Sequence, residues 1–160
     1  MSKIALALAT CFGCGLFPWG PGTAGSLVAI GIAWLVSANL GGTRQFLFGM
    51  TCLLIMPAVW SATVTAKQAG NSDPGKVVID ELLGQWVTLL GAPVYTPVTL
   101  GIGFFLFRLF DIWKPWPVCL LEELPEGWGI VADDIGAGLL GALILYIGSI
   151  LVPATRSSWH

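Results

Sequence analysis

The stretch GAPVYTP, residues 91–97, decides how this chain is folded. It interrupts the uncharged segment Leu82–Phe107, which as one straight helix would cross a bilayer and leave Asp80 and Glu81 on one side, Arg108 and Asp111 on the other. Gly91, Pro93 and Pro97 offer another course. Proline has no amide hydrogen and a fixed φ, and it drives the preceding residue out of the helical region, so the stretch can end one helix and begin the next. The reading preferred here is a helical hairpin with arms near 79–91 and 97–111, entering and leaving by one face. Each arm, at roughly 20 Å, is short for a full crossing. The hairpin gathers every carboxylate of the chain on one side.

The surrounding composition makes that gathering consequential. The 160 residues are 56% hydrophobic and 10% charged, against roughly 25% charged in an ordinary soluble protein, and the mean hydropathy is +0.83. The length fits a single domain, residues 1–160. Ile4–Thr43, Gln45–Ala66, Leu82–Phe107 and Ile135–Thr155 carry no charge at all. About 20 apolar residues cross the ~30 Å hydrocarbon layer, and unpaired amides in lipid are costly, so the spans are expected to be helices. The fold class is therefore all-α, a small polytopic membrane bundle; nothing resembles the alternating pattern of an outer-membrane barrel.

Along the chain the expected elements are a short helix near 3–12, a Gly/Pro-rich loop, and spans near 25–41 and 46–66, the second bent at Pro57. The polar loop KQAGNSDPGK, with Asp73 as a turn residue, then leads to the hairpin, and a last span at 135–152 is closed by Pro153. MSKIALALATC has too short an apolar run for a signal peptide and is read as part of the mature protein. With the N-terminus inside, Lys3, Lys67, Lys76, Arg108 and Lys114 are cytoplasmic, against Arg44 and Arg156 outside, in agreement with the positive-inside rule. Trp19, Trp60, Trp86, Trp113, Trp116 and Trp128 fall near predicted ends, where indoles favour the interface; Trp34 does not. No basic cluster exists to neutralise a nucleic-acid backbone. Cys11 and Cys14 form one C-x-x-C, but no second pair or nearby histidine completes a zinc site, so the cysteines read as small apolar residues.

All nine acids lie between Asp73 and Asp134, and three clusters face the proposed boundary. The turn PGTAGS, residues 21–26, runs straight into a helix. Its free amides and the helix dipole make it either a phosphate cradle, with Thr23 and Ser26 as hydroxyl donors, or simply a capped helix start. In SDPGKVVIDELLG, residues 72–84, Asp80 and Glu81 open a hydrophobic helix, where acids also serve as dipole complements. In FRLFDIWKPWPV, residues 107–118, Arg108, Asp111 and Lys114 are spaced three apart and project to one side of a helix, as an ion-pair ladder would. Asp133 and Asp134, in GWGIVADDIGAG at 127–138, sit at the mouth of the last span, where they could cap it. Taken together, five carboxylates at helix mouths with Arg108, Lys114 and a glycine-rich turn point to a hard divalent cation such as Mg²⁺ and a phosphate group.

Absences narrow the chemistry. The single histidine, His160, is the final residue, which argues against histidine-based phosphatases, and no cysteine is followed by the arginine that a cysteine phosphatase needs. The motifs DGxxAR and DxDxT/V are missing as well. What is present, PGTAGS, SDP with VVIDELLG, FRLFDIWKPWPV and GWGIVADDIGAG in that order over roughly residues 13–145, resembles the phosphatidylglycerophosphatase A family of bacterial membrane lipid phosphatases. Trp128 stands where that family commonly has a second glycine, and LLEELPE just upstream is unusually acidic, which sets the 119–128 loop apart from the flanking motifs.

The resemblance implies an Mg²⁺-dependent enzyme of the bacterial inner membrane, its site facing the cytoplasm, that converts the phosphorylated glycerophospholipid phosphatidylglycerophosphate to phosphatidylglycerol. It carries over Asp80, Glu81, Asp111, Asp133 and Asp134 as the acidic site, with Arg108 and Lys114 beside them; joined to the reading of the turn, this puts Asp80, Glu81, Asp111 and Asp134 in catalysis, Asp80, Asp111, Asp133 and Asp134 on the metal, and Thr23, Ser26, Arg108 and Lys114 on the substrate. The main rival is a small ion or solute transporter, which predicts acids distributed through membrane depth. A membrane scaffold leaves the FRxFD spacing unexplained.

Overall fold

The computed structural model describes residues 2–72 and 74–151, and over these the chain is helical, with no strand among the described residues. The expectations for Asp73, Pro153, Arg156 and His160 lie outside the described residues. A short α1 (Lys3–Ala9) packs on α3. Among the described residues three helices are long and apolar enough to cross a membrane: α2 (Pro21–Asn39), α3 (Thr43–Ala69), which continues through Pro57, and α6 (Gly127–Leu151).

Between α3 and α6 the hairpin forms as expected, from α4 (Ile79–Leu90) and α5 (Pro97–Trp113). Pro97 occupies the first helical position, where its missing amide costs nothing, and the Thr96 hydroxyl caps α5 by accepting the Thr99 N–H at 3.2 Å. At twelve residues α4 rises only about 18 Å, but the connecting residues carry the hairpin further. Its tip meets the α2–α3 turn, where Arg44 Nη2 donates to the Ala92 carbonyl at 2.7 Å. The hairpin therefore enters at the acidic end of the bundle, reaches the other end and returns.

Helix α4 is the centre of the bundle, touched by α2, α3, α5 and α6, with Leu82, Leu83, Trp86 and Leu89 all buried. Its approach to α6 is close enough to require glycine: a Cβ on Gly84 would lie 2.6 Å from the Asp134 carbonyl oxygen, and one on Gly138 would lie 3.0 Å from Val87 Cβ. Small residues that let backbones approach are how helices associate where lipid is as apolar as the side chains. Trp86 is a correction to the expected interfacial belt. It is 2% exposed and donates its indole N–H to the Ala29 carbonyl of α2 at 3.0 Å, a core role that its place in the sequence does not signal.

The outer faces are apolar. At most a third of each candidate span is buried, and Leu35, Leu53, Val98, Phe105, Leu139 and Leu143 are exposed. In water so much exposed apolar surface is exceptional, whereas lipid solvates it; the chain is a membrane protein.

Helix α6 begins at Gly127, eight residues before the expected start of the last span, so Asp133 and Asp134 lie about two turns inside it and not at its mouth. The reason is tertiary. The Gly127 N–H donates to Thr63 Oγ1 of α3 at 2.9 Å, and a Cβ there would strike the α3 backbone, so a glycine-rich, charged stretch that locally reads as loop is seated as helix by a distant partner.

Candidate active site

The segment that precedes α4 fixes the site. Residues 76–78 pass so close to the loop after α1 and to α2 that Gly15 and Gly25 have no room for a side chain, and the Val78 N–H donates to the Ala9 carbonyl at 2.8 Å. That anchorage sets Asp80 and Glu81 in the first turn of α4, aimed at α6 and at the start of α2. From α6, Asp134 meets them: one oxygen each from Asp80, Glu81 and Asp134 lie within 4.8 Å of one another. Asp80 and Asp134 are 6% and 4% exposed. Glu81 Oε2 and Asp134 Oδ2 are buried without a hydrogen-bond partner.

Two cations flank this centre. Arg108 Nη1 donates to Asp111 Oδ2 at 2.5 Å, one turn apart on α5. Lys114 ends α5 in the left-handed conformation (φ 44°), which carries its ammonium across to α6, where Nζ lies 2.6 Å from Asp133 Oδ2 and 3.3 Å from Glu122 Oε2. Burial alone would lower the Lys114 pKa, but the hydrogen bonds and charges of Asp133 and Glu122 outweigh it and raise it. Asp133 Oδ1 also accepts the Asp134 N–H at 2.8 Å. A cavity of about 90 Å³ collects these groups, lined by Asp80, Glu81, Asp111, Lys114, Asp133 and Asp134 with Gly75, Val77 and Ile130. A larger one of about 330 Å³, with Lys67, Asn71, Ser72 and Glu122 in its wall, shares Ile130 and Asp133 with it.

The start of α2 closes the arrangement. A Cβ on Gly22 would collide with the Glu81 carboxylate and sit 3.0 Å from Arg108 Nη1. The first backbone bond of α2 runs from Ala24 to Gly20 and no side chain caps the helix, so the Gly22 and Thr23 amides precede its hydrogen-bond ladder beside Arg108. Thr23 is exposed at this mouth. Ser26 is not: it is fully buried and donates its hydroxyl to the Gly22 carbonyl at 3.0 Å. All five predicted acids, Arg108 and Lys114 thus converge; Thr23 lies exposed at the start of α2 next to Gly22, and Ser26 is turned into the helix interior.

Sequence reasoning missed Gly22, Glu122 and Gln85. Glu122 lies in the loop that had been set apart. Gln85, one turn below Glu81, is fully buried with neither amide atom paired to a protein group. An apolar helix with a single amide facing inward is the signal that could have flagged it.

Electrostatics say what the centre lacks. At an effective dielectric of about 20, two like charges at the separation seen here repel by roughly 3 kcal/mol, so three ionised carboxylates carry repulsion comparable to a whole protein's net stability. Either protons or a cation must balance the group. Hard carboxylate oxygens, two of them unpartnered and inward-facing, suit a metal ion. Burial, then the charge of Asp80, pushes the nearby Cys11 thiol up to about 12, so Cys11 stands beside the centre as a neutral thiol.

Fold and site define a polytopic helical membrane protein with a buried carboxylate centre at one end of its bundle, flanked by an arginine, a lysine and an open helix start. The chain belongs to the phosphatidylglycerophosphatase A family, whose model matches residues 7–149. It is 41% identical to phosphatidylglycerophosphatase A of Escherichia coli over 87% of this chain and 80% of the relative, and 34% identical to that of Haemophilus influenzae over 87% and 85%. A Bacteroides thetaiotaomicron protein provisionally named a phosphatidylinositol-3-phosphatase is 33% identical over 91% and 94%. No solved structure matches the chain.

Proposed function

We propose that this protein is an Mg²⁺-dependent phosphatidylglycerophosphatase of the bacterial inner membrane, its pocket facing the cytoplasm. The reaction hydrolyses the terminal phosphomonoester of phosphatidylglycerophosphate to phosphatidylglycerol and inorganic phosphate. The observation that carries this reading is the meeting of Asp80, Glu81 and Asp134 with Arg108 and the open start of α2 at one end of the bundle, in a chain of this family. Two relatives are named phosphatidylglycerophosphatase A and a third, provisionally, a phosphatidylinositol-3-phosphatase, so all three carry the name of a lipid phosphatase. The transporter reading gains no support, because the acids collect at one end instead of lining a path.

Asp80, Glu81 and Asp134 would hold the ion, with Asp111 and Asp133 kept beside it by their cations. When bound, Mg²⁺ supplies Lewis-acid polarisation of the phosphate. Arg108 contributes planar donors to phosphate oxygens, joined by the Gly22 and Thr23 amides and the positive end of α2. Lys114 adds a second positive charge toward the phosphate. A carboxylate of the centre accepts the proton of the attacking water as its oxygen bonds to phosphorus; the P–O bond to the headgroup glycerol breaks, and the departing oxygen takes up a proton. Acyl chains remain in the bilayer throughout.

The test is phosphate release from phosphatidylglycerophosphate by purified protein in detergent, with Mg²⁺, with chelator, and with Mg²⁺ restored. Activity is expected to vanish with chelator and to return. In Asp111→Asn and Asp134→Asn, kcat/KM should fall by about 10²-fold or more. Full activity in both variants sinks the assignment of the site, and activity surviving complete chelation sinks the metal.

A further inference from the structure

Resting on the lipid-phosphatase reading, we infer that the groove between α2 and α5 is the seat of a substrate acyl chain. It is a cavity of about 510 Å³ whose wall is almost wholly apolar, formed by Leu27, Gly31 and Trp34 of α2 and Leu100, Gly101 and Phe104 of α5. The two helices touch at the site, where Gly22 faces Arg108. Leu27 is five residues below Gly22 and Phe104 four before Arg108, so the groove opens about 6–8 Å beneath the phosphate-facing groups, leaving that interval for the polar headgroup. From Leu27 to Trp34 it runs a further ~10 Å, about a third of the hydrocarbon thickness.

Gly31 and Gly101 leave this space open from both walls. Gly22, Gly25 and Gly103 on the same helices each have a neighbour that a side chain would strike, the usual reason for glycine between packed helices. A Cβ on Gly31 or on Gly101 meets nothing within 4 Å. Glycine in a helix costs about 1 kcal/mol relative to alanine, and here no protein contact accounts for it. Leu27 and Trp34, about half exposed on the rim, are turned to the bilayer from which a chain would slide in. An amphiphile whose charged end is held by Arg108 and α2 must place its apolar end along this wall, and that continuity selects a substrate chain over a second copy of the protein.

Gly31→Leu and Gly101→Leu fill the groove without touching the site. Hydrolysis of dioleoyl and dihexanoyl phosphatidylglycerophosphate is compared in the same mixed micelles. Both variants should raise KM for the dioleoyl lipid about ten-fold or more and leave kcat/KM for the dihexanoyl lipid within about two-fold of wild type. Equal effects on both lipids, or none on either, overturn the inference. The wild-type protein gives an independent reading through a phosphatidylglycerophosphate carrying a diazirine on one acyl chain. Adducts are expected within 27–34 and 100–104 and should be displaced by unlabelled substrate. Adducts spread over outward residues such as Leu53 and Leu143, or cross-links between copies through α2 and α5, overturn it. Should the wild type hydrolyse neither lipid, the phosphatase reading fails, while photolabelling still decides the groove.

Discussion

A methyl group at position 22 would run into the Glu81 carboxylate and press on Arg108, which makes Gly22 a residue of the site although it carries no functional group. Two effects of Gly22→Ala oppose each other: alanine favours the helix by about 1 kcal/mol, whereas the collision displaces one carboxylate and one guanidinium from the centre. Displacement of catalytic groups by even an ångström costs about 10²-fold, so the expected outcome is a loss of kcat/KM of that order in a protein that unfolds no earlier than wild type. Ser26→Ala makes the contrast. Its hydroxyl is spent on the Gly22 carbonyl inside α2, so kcat/KM should stay within about three-fold. Phosphate-release kinetics beside detergent melting curves check both; a silent Gly22→Ala removes Gly22 from the site.

At the scale of elements, the hairpin sets the two ends of the molecule, and its tip carries the clearest topological consequence. Because Arg44 at the α2–α3 turn holds Ala92, residues on either side of that contact must share a compartment. In a background lacking Cys11, Cys14, Cys52 and Cys119, single cysteines at Gly41 and Val94 should react with an impermeant maleimide from the same face of oriented vesicles, and one at Glu123 only from the other. Labelling of Val94 together with Glu123 contradicts the fold. This architecture was legible in the sequence because Gly91, Pro93 and Pro97 fall together and can end one helix and begin the next, whereas the lone Pro57 is carried within α3. The convergence of the acids followed from the hairpin. What stayed hidden depends on partners remote in the chain. The start of α6 is set by Thr63, the burial of Trp86 by Ala29, and the identity of the three gathered carboxylates by the threading of residues 76–78 between α2 and the loop after α1. Glu81 is the telling case. In sequence it is a first-turn acid of an apolar helix, indistinguishable from a dipole complement, and only the packing of α2 against it turns it inward.

For the whole molecule, the carboxylate centre ties stability to metal with a sign that no ordinary site variant shares. Without a divalent cation, Asp80, Glu81 and Asp134 oppose folding by mutual repulsion. Glu81→Gln and Asp134→Asn each remove one charge from the three at nearly constant volume, so the metal-free variants should melt above the metal-free wild type. Saturating Mg²⁺ reverses the order, because a ligand present at about 100 times its Kd adds roughly 2.7 kcal/mol to the state that binds it, on the order of 5–10 °C in Tm for a chain of this size. The wild type should gain that much, while either variant, short of one anionic ligand, gains little. The measurement is a pair of melting curves for each protein in detergent, with chelator and with excess Mg²⁺, and it needs no turnover. Curves that cross in this way place the cation among these three residues independently of any activity. Variants that melt below wild type under both conditions mean instead that the carboxylates are balanced by protons, and the metal must then be sought elsewhere in the pocket.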